Sequence, residues 1–132
     1  MIYGLHIDST PETIMSNINK YNKLKIIQLF VSLGKTKRKI YDEIAEKYKN
    51  KILFSVHISY IINIALDSSV HSWWIRNIVD QINLAHHIGA FCVVIHLGKS
   101  LDLSLETAMN NMYINLLKVH NMLKVQIGRA HV

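Results

Sequence analysis

Ile52-Leu53-Phe54-Ser55-Val56-His57 and Phe91-Cys92-Val93-Val94-Ile95-His96 are two short apolar runs, each closed by a histidine. A parallel strand covered on both faces reads as an unbroken run of this kind rather than as an alternating one. Both segments are therefore expected to be buried parallel strands, with an imidazole at each C-terminal end. A single histidine in such a place is by default a hydrogen-bonded structural group. Two at corresponding strand ends point to rings converging on one metal ion or one phosphate.

The rest of the chain supplies matching elements. Tyr3–Ile7 reads as a first strand, followed by a helix start at Thr10 (N-cap) and Pro11 (first helical position). Ile14, Ile18 and Tyr21 then share one helical face. Lys25–Val31 reads as a second strand, with a basic helix from about Thr36 to Tyr48 carrying Ile40, Ile44 and Tyr48. After His57, the stretch from Ser59 to Ile64 is too apolar for a solvated loop. Ser72 is expected to cap a helix from Trp73 to about His87, stopped by Gly89. His86 and His87 suit the negative end of that helix. One of Trp73 and Trp74 is expected in the core, the other partly exposed. Ser104 is expected to cap a last helix with Leu105, Met109, Met112, Leu116 and Val119 near its inner face, and residues 121–125 read as the approach to a fifth strand.

This order, β-α-β-α-β-α-β-α with right-handed crossovers, predicts an α/β chain. It reads as the N-terminal half of a (β/α)8 TIM barrel, about four βα units with parallel strands, because 132 residues are about half of such a barrel. Residues 1–125 are expected to form the partial barrel. Residues 126–132, Gln-Ile-Gly-Arg-Ala-His-Val, read as the translation of a sequencing-library adapter (CAG ATC GGA AGA GCA CAC GTC), a non-native tail continuing no helix or strand pattern.

Composition narrows the classes. With 50% apolar residues and one proline the chain is not a disordered tail. The net charge of +6 permits a polyanionic partner without requiring one. Cys92 reads as a reduced, buried thiol, and one cysteine forms no internal disulfide, so an intracellular, cytoplasmic setting is expected. The first residues lack a basic start followed by a long apolar core, and no apolar stretch approaches membrane-spanning length, so no membrane partner is expected.

Four stretches resemble the endonuclease IV family of zinc-dependent apurinic/apyrimidinic endonucleases, which are β/α barrels. Gly4-Leu5-His6-Ile7 is similar to that family's first strand, and Gln28-Leu29-Phe30, with the loop to Lys35, to its second strand and DNA-contacting loop. His57-x-Ser59-Tyr60-x-Ile62-Asn63 is similar to its third-strand signature, and His96-x-Gly98 to the His-Pro-Gly of its fourth. The likeness runs from about Tyr3 to Lys124. It departs at Ile58, where the family has Asp, at Leu97, where it has Pro, and at residues 8–11, where it has a Gly-rich turn.

The resemblance implies that His57 and His96 bind one zinc ion, with His6 a further group beside the site or else an inner barrel residue. It implies up to three zinc ions in the whole protein, through a Glu ending strand five and later His and Asp residues that this chain does not contain. It places Tyr60 and Ile61 in the DNA minor groove, the other reading being that both pack the barrel rim (the two weigh equally for Ile61), and Lys35 among the phosphate contacts with Lys37, Arg38 and Lys39 beside it. Zinc lowers the pKa of bound water to about 7 and so generates a nucleophile. The function implied is hydrolysis of the phosphodiester 5′ to abasic sites in double-stranded DNA by a monomeric repair enzyme, in the cytoplasm, the nucleus or a viral factory. This chain alone is expected to be inactive. Two other readings stay open: a xylose-isomerase-like sugar isomerase or epimerase, which shares the barrel and the strand-end histidines, and a non-catalytic DNA-binding remnant.

Overall fold

A computed structural model describes residues 4–7, 11–21, 23 and 25–129, except for the side chains of residues 11, 12, 35, 36 and 124–129. Tyr3, the Thr10 cap, the 8–10 turn and His131 lie outside the described residues. Four parallel strands alternate with four helices: β1 (Gly4–Ile7), α1 (Pro11–Lys20), β2 (Ile26–Phe30), α2 (Lys35–Tyr48), β3 (Leu53–His57), α3 (Trp73–His87), β4 (Cys92–Val94) and α4 (Leu105–Arg129). The chain is thus an α/β fold of βα units, as expected. The sheet order is β1-β2-β3-β4, every neighbouring pair parallel. Each strand adds beside the last without reversal, unlike a doubly wound sheet, which has a switch point.

The chain forms two compact units: residues 1–59 with 81–94, and residues 60–80 with 95–132. The first holds the sheet. Its register sets Leu5, Ile27 and Phe54 in one row and Ile7, Leu29, Val56 and Val93 in another, all on one face. That face packs on Ile14 and Ile18 of α1, Tyr41 and Ile44 of α2, and Leu84 and Ala85 of α3. Ile14, Ile18, Ile27, Leu29, Ile44, Phe54 and Val56 have no exposed surface. Burying a side chain of this kind contributes about 1.5–3 kcal/mol.

The opposite face differs from the expected unbroken apolar cover. Leu53 is 52% exposed, and the alternate positions carry His6, Gln28, Ser55, His57 and Cys92. The strands read as continuous runs because Ser55 and Cys92 are small enough to pass for apolar residues.

Tyr41, unremarked in the periodic reading of α2, is one of the largest buried side chains. Its Oη accepts a hydrogen bond from the Ser32 N–H at 2.9 Å and thereby ties the β2 exit to α2. Burial pushes the phenol above its ordinary value, outweighing the Ser32 hydrogen bond, which pulls it down. The folded chain therefore keeps a proton that the unfolded chain releases near pH 10. This stabilisation is complete below that pH and is lost as pH rises through the folded value. Tyr41→Phe is expected to cost about 1 kcal/mol at pH 7, and in urea titrations the gap to the parent should close above pH 10. A gap independent of pH would show that the phenol does not titrate differently on folding.

Turns follow sequence chemistry closely. Gly89 (φ 76°) ends α3, with its N–H donating to His86 O and the Ala90 N–H to Ala85 O, the paired pattern of a left-handed helix stop. Ser104 caps α4, its Oγ accepting from the Thr107 N–H at 3.1 Å. Ser72 occupies the cap position of α3 because its carbonyl accepts from Arg76, but its Oγ instead accepts from the Ser69 N–H at 3.1 Å. Trp73 is 64% exposed and Trp74 half-buried, so the core residue here is Ile75.

The last element departs most from expectation. α4 runs to Arg129, through the proposed strand approach at 121–125 and into the tail at 126–129. No proline interrupts this stretch, and the one glycine, Gly128, costs only about 1 kcal/mol in a helix. The apolar stripe chosen as its inner face is mostly outside: Leu105 is 71% exposed and Met109 59%. The inward stripe is Ala108, Asn111, Asn115 and Val119, for a reason that lies in the irregular segment before α3.

That segment, residues 60–72, has no regular hydrogen-bonded structure, yet Ile62, Ile64 and Ala65 are buried. Buried backbone carbonyls need donors. Asn111 Nδ2 donates to Ala65 O at 3.0 Å. Asn115 Nδ2 donates to Ile64 O at 2.9 Å and Leu66 O at 2.8 Å, while its Oδ1 accepts from Ser68 Oγ at 2.7 Å. Lys118 Nζ donates to Ser68 O. Polar residues spaced i, i+4, i+7 on α4 thus replace the missing secondary structure of the segment. Among the described residues, no helix is long and apolar enough to cross a membrane.

Candidate functional site

In the first unit, the register places His6, Gln28, Ser55 and Cys92 in a single row on the face opposite the helices. They are hydrogen-bonded across it. His6 Nδ1 lies 2.7 Å from Gln28 Oε1, Gln28 Nε2 donates to Ser55 Oγ at 3.3 Å, and the Cys92 thiol donates to Ser55 Oγ at 3.3 Å. With the amide turned so that its NH2 faces Ser55, its oxygen faces the imidazole. In that orientation Gln28 Oε1 accepts from the Nδ1–H of a neutral His6.

His57 is the last residue of β3, as expected, and is half-buried. Its Nδ1 lies 3.0 Å from the Ile58 carbonyl, which can only accept, so here too the proton sits on Nδ1 and Nε2 is the basic nitrogen. Phe30 stands edge-on to both histidines, 4.8 Å from each by ring centroids, and the two imidazoles are 6.2 Å apart. The structure therefore brings His6 and His57 together around one aromatic ring.

His96, Tyr60 and Ile61 belong to the second unit. β4 ends at Val94, so His96 lies in the loop beyond the strand and not at its last position; only Cys92–Val94 of the expected strand pairs with β3. His96 lines a cleft of about 380 Å³ with Tyr60, Ile62, Asn63, Leu97, Gly98 and Lys99. Tyr60 is 74% exposed and Ile61 69%, so neither packs as a buried rim residue.

The floor of this cleft is a clasp. Asn63 Oδ1 accepts from the Lys99 N–H at 3.0 Å and the Ala65 N–H at 3.1 Å, and its Nδ2 donates to Lys99 O at 2.9 Å. Gly98 passes directly beneath with φ 92°; a Cβ there would lie 2.0 Å from Asn63 Oδ1. Only glycine fits, both for the left-handed backbone and for the approach. The side chain closing the His57-x-Ser59-Tyr60-x-Ile62-Asn63 stretch thus grips the backbone closing His96-x-Gly98.

The basic cluster is less available than its composition indicates. Lys37 Nζ donates to Ser32 Oγ at 2.9 Å and Arg38 pairs with Asp42 at 3.3 Å, while Lys39 is exposed. Lys35 opens α2, its side chain outside the described set. His87 Nε2 lies 2.7 Å from the same Asp42, joining α3 to α2, and His71 Nδ1 lies 3.2 Å from Arg76 Nη2.

Among the described residues, no three His, Cys, Asp or Glu side chains gather as a metal-holding group. The donor type nonetheless suits zinc: His57 Nδ1 faces the Ile58 carbonyl, in the way that metal-ligating imidazoles are oriented. The sequence motifs include Gln28, Asn63 and Gly98 without giving them a role of their own, and Ser55 was passed over within an apolar run. A lone polar residue inside Ile26-Ile27-Gln28-Leu29-Phe30 was the available signal for the row. No family model, curated protein or solved structure matches the chain.

Proposed function

We propose that these four βα units are the N-terminal part of an abasic-site endonuclease of the endonuclease IV type, a half-barrel in which His57 and His96 are zinc ligands. The observation that carries this reading is the Asn63–Lys99 clasp over Gly98. The resemblance treats the third- and fourth-strand stretches as one site, and the closing residues of those two stretches are physically locked together. Zinc, when bound, supplies a Lewis acid and a lowered water pKa for phosphodiester hydrolysis.

The chain's own residues do the rest. Exposed Tyr60 and Ile61 beside the cleft present the aromatic and apolar surface that enters a minor groove at an unstacked step. Lys99 in the cleft and Lys39 on α2 add positive charge for phosphates. A carbohydrate site would call for a closed, aromatic-lined mouth, and the cleft around His96 has one aromatic residue, Tyr60.

The test is fluorescence anisotropy of the chain with a duplex carrying a tetrahydrofuran abasic analogue, against the undamaged duplex, with zinc and with chelator. Preferential, zinc-dependent binding of the lesion duplex by about tenfold, reduced by Tyr60→Ala, is expected. Equal, zinc-independent and salt-sensitive affinity for both duplexes would instead identify a DNA-binding remnant. No binding to either would sink the nucleic-acid reading.

A further inference from the structure

We propose that two copies of this chain associate about a two-fold axis and close one eight-stranded parallel barrel, β4 of each copy pairing with β1 of the other. The inference goes beyond the reading above, since it needs neither zinc nor DNA. It also departs from the single-copy enzyme that the resemblance implies.

Three observations carry it. The first is topological. Among the described residues β1 pairs with β2 alone and β4 with β3 alone, so the parallel sheet keeps two open edges. An open edge is a template for another strand, and closure into a barrel removes both. A two-fold axis along the strands keeps all of them parallel and brings β4 to the other copy's β1 twice. Twice four strands is the number that closes a β/α barrel.

The second is the composition of the open face. The helices of the first unit cover the side that carries Ile27, Leu29, Phe54 and Val56. On the other side, no strand position holds any of the chain's 15 Lys and Arg or 9 Asp and Glu residues. Yet Leu53 there is 52% exposed, Val94 37%, and His6 is exposed as well. A sheet face that stays in water is ordinarily polar and charged, so this one has the make-up of a covered surface. Its polar row is hydrogen-bonded within itself, His6 to Gln28 and both Gln28 and Cys92 to Ser55, which lowers the cost of covering it.

The third is the helix that follows β4. On α4, Leu105, Met109, Tyr113 and Leu117 form an exposed apolar stripe at i, i+4, i+8 and i+12. Helices form a closed ring around a β/α barrel, and a helix of the second copy covers this stripe. In projection the sheet face measures about 300 Å², from strands about 4.8 Å apart and residues about 3.3 Å apart. A stable interface buries about 800 Å² a side; the two edges and the α4 stripe supply the rest.

The experiment is sedimentation velocity of the 132-residue chain at about 100 μM, with amide hydrogen exchange and isotope-filtered NOE spectra of mixed labelled and unlabelled chain. A particle of twice 15.2 kDa is expected, with a Kd of about 10 μM or tighter. In it the outward amides of β1 and β4 should exchange slowly, and NOEs should join β4 of one copy to β1 of the other. Leu53→Glu and Val94→Glu place a charge where a single copy meets water and the closed barrel does not. Each should stay folded by circular dichroism and weaken association at least about 100-fold, because a buried charge without a partner is costly. Should a variant fail to fold, the parent's mass, exchange and NOEs still decide. A 15.2 kDa monomer at this concentration would overturn the inference. So would a dimer whose β1 and β4 amides exchange freely, since its contact would lie elsewhere. Neither result bears on discrimination of the abasic duplex, so the endonuclease reading would stand; a barrel dimer indifferent to that duplex would sink the endonuclease reading and keep this one.

Discussion

Replacing Asn115 with leucine is expected to destabilise the chain by about 4 kcal/mol, the largest effect of any single change considered. The side chain is 1% exposed and nearly isosteric with leucine, so little packing volume changes. What is lost is polar. The buried Ile64 O and the partly buried Leu66 O lose their common donor, and the Ser68 hydroxyl loses its acceptor. Each buried group left unpaired costs about 1–3 kcal/mol, and no neighbouring strand exists in residues 60–72 to take over. Since a domain's total stability is about 5–15 kcal/mol, urea denaturation should show a large fall in midpoint, with hydrogen exchange accelerated first at residues 62–66. A loss below about 1 kcal/mol would show that water reaches these carbonyls and that Asn115 is dispensable. Asn115→Asp separates the two roles: it keeps the acceptor for Ser68 and removes the donor, so it should remain nearly as damaging.

Gly98→Ala is the second large effect, at about 3 kcal/mol. The backbone there has φ 92°, which an L side chain resists at about 1–2 kcal/mol. The added Cβ would also lie 2.0 Å from Asn63 Oδ1. Asn63 must therefore swing away, and with it go three hydrogen bonds, to Lys99 N, Lys99 O and Ala65 N. A net loss near 1 kcal/mol for each is the ordinary value, part of it recovered by water because Lys99 is exposed. Asn63→Ala alone should reproduce the hydrogen-bond part without the backbone strain, and Gly98→Ala in the Asn63→Ala background should cost only the strain. Full additivity of the two changes would mean that the clasp does not couple them. If the cleft is the DNA site, both variants should also lose discrimination for the abasic duplex beyond what their stability loss explains. Unchanged discrimination would detach the clasp from function.

Much of the architecture was legible in the residues themselves. Short β-rich apolar runs alternating with 3.6-period segments predict βα units, and Pro11, Gly89 and Ser104 mark helix ends through backbone chemistry that acts within one turn. Such signals are local, so neighbouring residues carry them. The two histidine-bearing stretches were legible for the same reason, as was His57 at the end of β3.

The sites were not legible in full, because they are built from pairings between distant residues. Nothing in Gln28 taken alone shows that it stands in register with His6 and Ser55; parallel pairing of β1, β2 and β3 puts them in one row. Nor does the composition of α4 reveal its inner face. Amphipathic reading selects the most apolar stripe, whereas the packed stripe is the one with Asn111 and Asn115, because the buried segment 60–72 needs donors more than it needs further apolar cover. The sequence by itself determined which residues become strands, helices and stops, since those choices are settled within a few residues of backbone. Tertiary structure alone decided which polar groups meet and which apolar ones stay outside, since an unpaired buried carbonyl is costly enough to override the local hydrophobic pattern.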